Sequence, residues 1–235
     1  MLILRILILG LIAPILGCAT APSNYDIPIP IVTWVQSNVW KINREDGGGT
    51  GSGFWISNTQ MITACHVATD HKSIQVEDRL KQYDLVLEVT ACDEESDLAL
   101  LTFTGSSEFK PMETIISIED YRQGTATWGG GYSKSETLII TFGHLQSEDV
   151  KPSIGKLTTT PTAKGASGSP LLALKDGKVV VIGVRVAMRG SMDPIVEVTP
   201  FGLRADPLLL SNVSVHHIVY IKTCEAILKF LEENS

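Results

Sequence analysis

Short apolar runs, each cut off by glycine, proline or an Asp-Gly pair, follow one another down most of the chain, and this punctuation restricts the fold more than any other feature. The runs fall at 32–42, 53–56, 61–63, 73–76, 85–89 and 98–103. Past a connecting segment near 104–114 they resume at 115–118, 124–128, 138–142, 154–159, 171–174, 179–186 and 213–221. Gly47-Gly48-Gly49 marks a turn after the first run, and Asp176-Gly177 a hairpin between two later ones. Many short strands at this spacing predict barrels or sandwiches rather than alternating strand–helix units. A chain of 235 residues, 44% apolar and 19% charged, carries enough core for one such unit and is not disordered. Only the end changes period: over 223–231, Cys224, Ile227, Leu228 and Leu231 share a helical face, with Thr223 at the N-cap.

Residues 1–17 form a targeting segment, set apart from the fold. They are almost wholly apolar, with Arg5 the single charge, and Pro14 breaks a stretch already short for a membrane span of about 20 residues. The segment ends in Ile15-Leu16-Gly17-Cys18-Ala19, which resembles a bacterial lipobox, so Cys18 is the expected lipidated first residue. An uncleaved anchor or an ordinary signal peptide are the alternatives, and each implies export. By analogy with lipoproteins, Ala19 after the cysteine points to the outer membrane, facing the periplasm, in a cell that has one. Residues 18–31, with Pro22, Pro28 and Pro30, read as an extended linker between anchor and domain. A net charge of −7 without any basic run argues against a nucleic-acid partner. With Cys18 lipidated, Cys65, Cys92 and Cys224 remain. Cys65 and Cys92 either bridge or stay small buried thiols, the second being the expectation, and no cysteine spacing fits a zinc site.

Three motifs carry chemistry. In Lys164-Gly165-Ala166-Ser167-Gly168-Ser169-Pro170-Leu171 a small-residue turn leads into an apolar strand and presents the Ser167 hydroxyl. The backbone N–H groups of Gly165 and Ser167 are placed to receive a developing oxyanion. A serine hydroxyl needs a base and a group to orient that base. His66, in Met61-Ile62-Thr63-Ala64-Cys65-His66-Val67-Ala68, supplies the base on a short helical turn at a strand end. Asp97, in Ser96-Asp97-Leu98-Ala99-Leu100-Leu101, supplies the orienter where a buried strand begins. His71, His216 and His217 lack such a setting.

With these motifs in the order His66, Asp97, Ser167, the chain resembles the trypsin/chymotrypsin-like serine peptidases over residues 32–231. It looks closest to the compact bacterial HtrA-type and V8 glutamyl-endopeptidase-type branches. The resemblance implies an all-β fold of two packed six-stranded antiparallel β-barrels with a C-terminal helix. The peptidase domain would span 32–235, with a first barrel at about 32–104, a second at about 115–221 and the helix at about 223–233. The peptide-binding domain that follows the protease in HtrA-type proteins is not expected in this sequence. Ala166 departs from the Asp or Asn usual in the family, which leaves open how the turn around Ser167 is held.

In the V8-type branch a histidine on the strand after the serine reads an acidic side chain, and Arg185 stands at the corresponding place. Two readings stand: Arg185 with Thr162 lines a primary specificity pocket for Glu or Asp, or Arg185 is a solvent-facing strand arginine. Val186, Ala187 and Met188 are expected to form the edge that pairs with an extended substrate, and Lys164 is a rim or surface lysine. The activity expected is an exported, lipid-anchored serine endopeptidase acting on proteins or peptides, with no metal and no organic cofactor. The alternative is a protease-like fold kept as a binding module at the cell envelope. An esterase is disfavoured, because no Gly-x-Ser-x-Gly elbow is present.

Overall fold

Pro28 and Pro30 open a helix, at positions where a backbone N–H has no helical partner to lose. The computed structural model describes residues 27–44, 50–106, 108–117, 121–133, 137–146, 156–188, 197–199, 202–204 and 219–234. Helix α1 (Ile29–Asn38) buries Ile31, Trp34, Val35 and Asn38, spaced at helical period on one face. The expected strand at 32–42 is therefore corrected to this helix followed by β1 (Val39–Asn43), and the linker stops short of Ile29. Asn38, fully buried, donates to Met112 O at 2.8 Å and to Thr114 Oγ1 at 2.9 Å, and it accepts from Met112 N at 3.0 Å. These bonds tie α1 to the segment that connects the two halves of the fold.

β1, β2 (Thr50–Trp55), β3 (Gln60–Thr63), β4 (Ser73–Glu77), β5 (Asp84–Asp93) and β6 (Leu98–Thr102) close into an antiparallel barrel in the order β1-β2-β3-β6-β5-β4. Between β3 and β4 lies one helical turn, α2 (Cys65–Ala68). Trp40, Trp55 and Phe109 pack together at centroid distances of 4.5–5.4 Å, with Tyr83 against Trp40. Such contacts add about 0.5–1.5 kcal/mol each beyond the area they bury.

The second half is a six-stranded sheet ordered β8-β7-β10-β11-β14-β9. Its strands are β7 (Ala126–Tyr132), β8 (Leu138–His144), β9 (Lys156–Thr158), β10 (Pro170–Lys175), β11 (Lys178–Met188) and β14 (Val219–Thr223). It curls until its edges meet in a single bridge, Leu145 to Thr158, so it is barrel-like without a full closing ladder. Thr127, Thr158 and Thr160 satisfy one another's buried hydroxyls across that seam. The expected run at 115–118 adds one parallel bridge, Ile116 to Val181. Asp176 and Gly177 both take positive φ in the β10–β11 turn, as their pairing in the sequence predicts.

A short hairpin, β12 (Glu197–Thr199) with β13 (Gly202–Arg204), forms within the proline-containing segment 192–210. Helix α3 (Cys224–Glu233) ends the fold. Among its described side chains Ile227 and Phe230 are buried and Leu231 packs against the core, and Thr223 sits at the N-cap without a side-chain capping bond. The targeting segment, Cys18, most of the linker, His216 and His217 lie outside the described residues. Among the described residues no helix is long and apolar enough to cross a membrane.

Candidate active site

His66 sits in α2, three residues past the end of β3, with its side chain half exposed (48%). Asp97 opens β6 in the left-handed region at φ 51°, a conformation aspartate tolerates. That turn aims both its carboxylate and its carbonyl at α2. Asp97 Oδ1 accepts from His66 N at 2.9 Å, Asp97 O accepts from Cys65 N at 3.1 Å, and the carboxylate oxygens lie 3.0 and 2.8 Å from His66 Nδ1. An ionised carboxylate only accepts, so Nδ1 carries the proton and Nε2 of the neutral ring keeps its lone pair for chemistry. Lys222 on β14 donates to Glu95 O at 3.2 Å from the same side. Burial pulls its ammonium below the ordinary lysine range, and the carboxylates of Asp97, Asp93 and Glu95 oppose that shift.

Cys65 and Cys92 form a disulfide with Cα atoms 5.2 Å apart, so the expectation of free buried thiols is corrected. The bridge ties α2, which carries His66, to β5, whose partner β6 begins one residue after Asp97. Sequence alone cannot supply the Cα separation that decides the matter.

The serine turn is fastened from both halves of the fold. Ser52 on β2, fully buried, donates its backbone N–H to Ser167 O and its hydroxyl to Gly165 O, each at 2.9 Å, and its hydroxyl accepts from Tyr132 N on β7. Gly168, at φ 84°, donates to Arg185 O at 2.8 Å. A Cβ at 168 would collide with Thr63 Oγ1, Ser52 O and Ala64 N. The turn is thus pressed against the backbone that leads into His66. Gly165 N–H and Ser167 N–H donate to no acceptor among the described residues, as an oxyanion site requires. How the turn is held without a polar residue at 166 is answered by Ser52 and by Ser169, whose hydroxyl donates to Ala166 O. The sequence reading passed over both serines.

Arg185 is buried on β11, 3% exposed, and the solvent-facing reading is corrected. Nε donates to Ser169 Oγ at 2.7 Å and Nη1 to Pro161 O at 3.2 Å, and no carboxylate pairs with it among the described residues. The guanidinium lies over Gly129 and Gly131 of β7, where a Cβ would come within 2.5 Å of Nη1 and 3.0 Å of Nη2. Arg185, Thr162, Ala163 and Ala166 wall a cavity of about 60 Å³. Burial pushes the guanidinium down to about 10, so it stays charged at neutral pH.

Beyond Arg185, one edge of β11 pairs with β14, while the other is claimed by Gly168 and Ser169 only as far as Arg185. Past that point Val186, Ala187 and Met188 have no partner on that edge among the described residues. The Val186 side chain packs into the core. Lys164 is half-buried before the turn. No group of His, Cys, Asp and Glu among the described residues is arranged to hold a metal.

A closed barrel bearing a carboxylate-bound histidine and a barrel-like sheet bearing a glycine-flanked serine turn, seated against the backbone that leads to that histidine, make the two-part fold of a serine hydrolase. Residues 51–184, more than half the chain, match the family model described as trypsin-like peptidase domain. The chain belongs to the trypsin-like peptidase family. Among solved structures it is similar to the active form of the Rv3671c protease from M. tuberculosis, at 18% identity and a TM-score of 0.65, covering 88% of this chain and 84% of that one. It is likewise similar to the HtrA-type protease AlgW with tripeptide, at 16% identity and a TM-score of 0.64, covering 86% of this chain and 61% of that one. At these identities the likeness speaks for the fold. No curated protein sequence matches.

Proposed function

We propose that the protein is a serine endopeptidase that cleaves after acidic residues. Ser167 Oγ attacks the scissile carbonyl carbon while His66 Nε2 takes its proton, and Asp97 holds the ring and balances the imidazolium. Gly165 N–H and Ser167 N–H receive the oxyanion. Collapse of the tetrahedral species expels the amine, which takes the proton from His66. Water, deprotonated by the same imidazole, then cleaves the acyl-enzyme and restores Ser167. The edge at 186–188, without a partner among the described residues, pairs with the substrate backbone, and Arg185 with Thr162 receives a P1 carboxylate. A cavity of about 60 Å³ holds roughly four water-sized groups, the size of a carboxylate with its methylene.

The observation that carries the reading is the His66–Asp97 couple at 2.8 Å beside a serine turn with two unclaimed N–H donors. A fluorophosphonate probe tests it: labelling of the wild type that disappears in Ser167→Ala supports the enzyme. Folded wild type that takes no label would leave the binding-module reading in its place. A peptide-library digest tests specificity, and cleavage without gain after Glu or Asp removes the acidic preference. Export and lipid anchoring through Cys18 belong to the same proposal and rest on the lipobox-like sequence. Membrane fractionation of the wild type and Cys18→Ala tests them, with release of the variant as the expected result.

A further inference from the structure

Ser169 is fully buried and cannot reach a substrate, yet it lies between the two parts of the proposed site. Its hydroxyl oxygen accepts from Arg185 Nε at 2.7 Å. A guanidinium only donates, so the single hydroxyl proton must go elsewhere, and it goes to Ala166 O. That carbonyl belongs to the same peptide unit as Ser167 N–H. The unit is planar and trans, so fixing the carbonyl direction fixes the N–H opposite to it. The Ser169 backbone N–H also reaches Ala166 O, at 3.1 Å, a longer bond that the hydroxyl reinforces.

We propose that Ser169 is a positioning residue that carries the orientation of Arg185 into the oxyanion site, so that a substrate carboxylate at Arg185 sets the rate of cleavage as well as binding. The inference rests on the reading of Arg185 as the P1 receptor. The guanidinium is held by two neutral acceptors, Ser169 Oγ on Nε and Pro161 O on Nη1. A carboxylate in the cavity adds charge-assisted bonds with fixed fork geometry, which pins the guanidinium and with it the Nε–Ser169–Ala166 chain. Acidic P1 residues therefore bring the Ser167 N–H donor into register, and neutral isosteres of the same shape do not.

The test is steady-state kinetics on paired peptide amides that differ only in P1 Glu or Gln. In the wild type, Glu should exceed Gln in kcat as well as in KM. Ser169→Ala should lose about tenfold in kcat on the Glu peptide with KM within about twofold, because one oxyanion donor is worth about 10²–10³ in rate and the backbone bond to Ala166 O survives. Its Glu-to-Gln ratio in kcat should fall to about one while the ratio in KM persists. Adding Arg185→Met to Ser169→Ala should lower kcat no further. A wild-type preference expressed in KM alone, or kcat losses that multiply in the double variant, overturns the inference. Should Ser169→Ala fail to fold by thermal melting, the wild-type Glu and Gln comparison decides alone. Fluorophosphonate labelling separates the failures. Labelled enzyme with a KM-only preference sinks the relay, labelled enzyme with no preference sinks acidic specificity and the relay with it, and absence of label sinks the peptidase reading.

Discussion

Arg185→Met should make the protein more stable and less selective. The folded chain holds this guanidinium at about 10, well below its ordinary range, with burial as the cause. At about 1.4 kcal/mol per unit, that displacement is a burden of roughly 3 kcal/mol at neutral pH. Removing the charge orphans neither acceptor: Pro161 O keeps its bond from Thr141 Oγ1 at 2.7 Å, and the Ser169 hydroxyl keeps its bond to Ala166 O. Methionine fills most of the same space. After the loss of two charged hydrogen bonds, a net gain of about 1–2 kcal/mol is expected, in line with other buried charges replaced by apolar residues. For a chain of this size that corresponds to roughly 2–8 °C in Tm. The sign with pH is also set. A base whose folded value is depressed leaves the unfolded chain holding more protons above about pH 10, so wild-type stability rises with pH there and the gap to the variant closes. Thermal melts at neutral pH and at increasing alkaline pH, with a P1 profile of each protein, make the assay. A variant that melts lower than wild type and still prefers Glu would refute the reasoning, making Arg185 a structural brace.

Reducing Cys65–Cys92, or replacing both by alanine, removes a cross-link over a sequence separation of 27. Loop entropy for that length puts the loss at about 3.5 kcal/mol, read as a lower urea midpoint, and fluorophosphonate labelling should fall before global unfolding because the bridge joins α2 to β5. A midpoint unchanged on full reduction would count against the entropic account. Gly168→Ala should abolish Ser167 labelling and lower stability by about 3 kcal/mol or more, since alanine meets both a positive φ of 84° and backbone atoms of Ser52 and Ala64. Full labelling by that variant would mean the turn is not seated as described. Asp93, held below the usual aspartate range by the Ser96 side chain and then by the backbone N–H groups of Glu95 and Ser96, stabilises the loop before Asp97. That contribution is present above about pH 4 and is lost as pH falls through the depressed value, so the stability gap between wild type and Asp93→Ala should close in acid. A gap independent of pH would assign the effect to something other than the carboxylate.

Strand positions were legible because turn residues flank them, and the His66, Asp97 and Ser167 motifs because each sits at an element boundary that local sequence marks. α1 was missed for a physical reason. Val32, Thr33 and Val35 are β-branched and read as a strand, while burial of Ile31, Trp34, Val35 and Asn38 follows a helical period that overrides propensity. Pro28 and Pro30, which read as linker prolines, are its N-cap and first turn. Arg185 was undecidable for a different reason. β11 is covered on both faces, Ile182, Val184, Arg185 and Val186 are all buried, and strand alternation therefore carries no signal there. The missing signal lay 54 residues earlier, in Gly129-Gly130-Gly131: a glycine run inside a strand marks the close approach of something bulky, and two of those glycines face the guanidinium.

Alanine at 166 and arginine at 185 belong to one arrangement. Both wall the same small cavity, and with an uncharged side chain at 166 the acceptors on the guanidinium among the described residues are the neutral Ser169 Oγ and Pro161 O. The turn then loses the polar anchor usual at that position and is held by neutral hydroxyls on either side. Ser169 grips Ala166 O from within the second half of the fold, and Ser52 grips Gly165 O and Ser167 O from the first. Because Ser52 also accepts from Tyr132 N on β7, one fully buried hydroxyl spans the seam between the halves. A buried hydroxyl that loses a partner there costs about 1–3 kcal/mol, so separation of the halves is penalised at the same bonds that seat Ser167. The geometry of the serine turn is therefore a property of the docked pair: β2 and β7 must be in register before Gly165 and Ser167 can offer their N–H groups together.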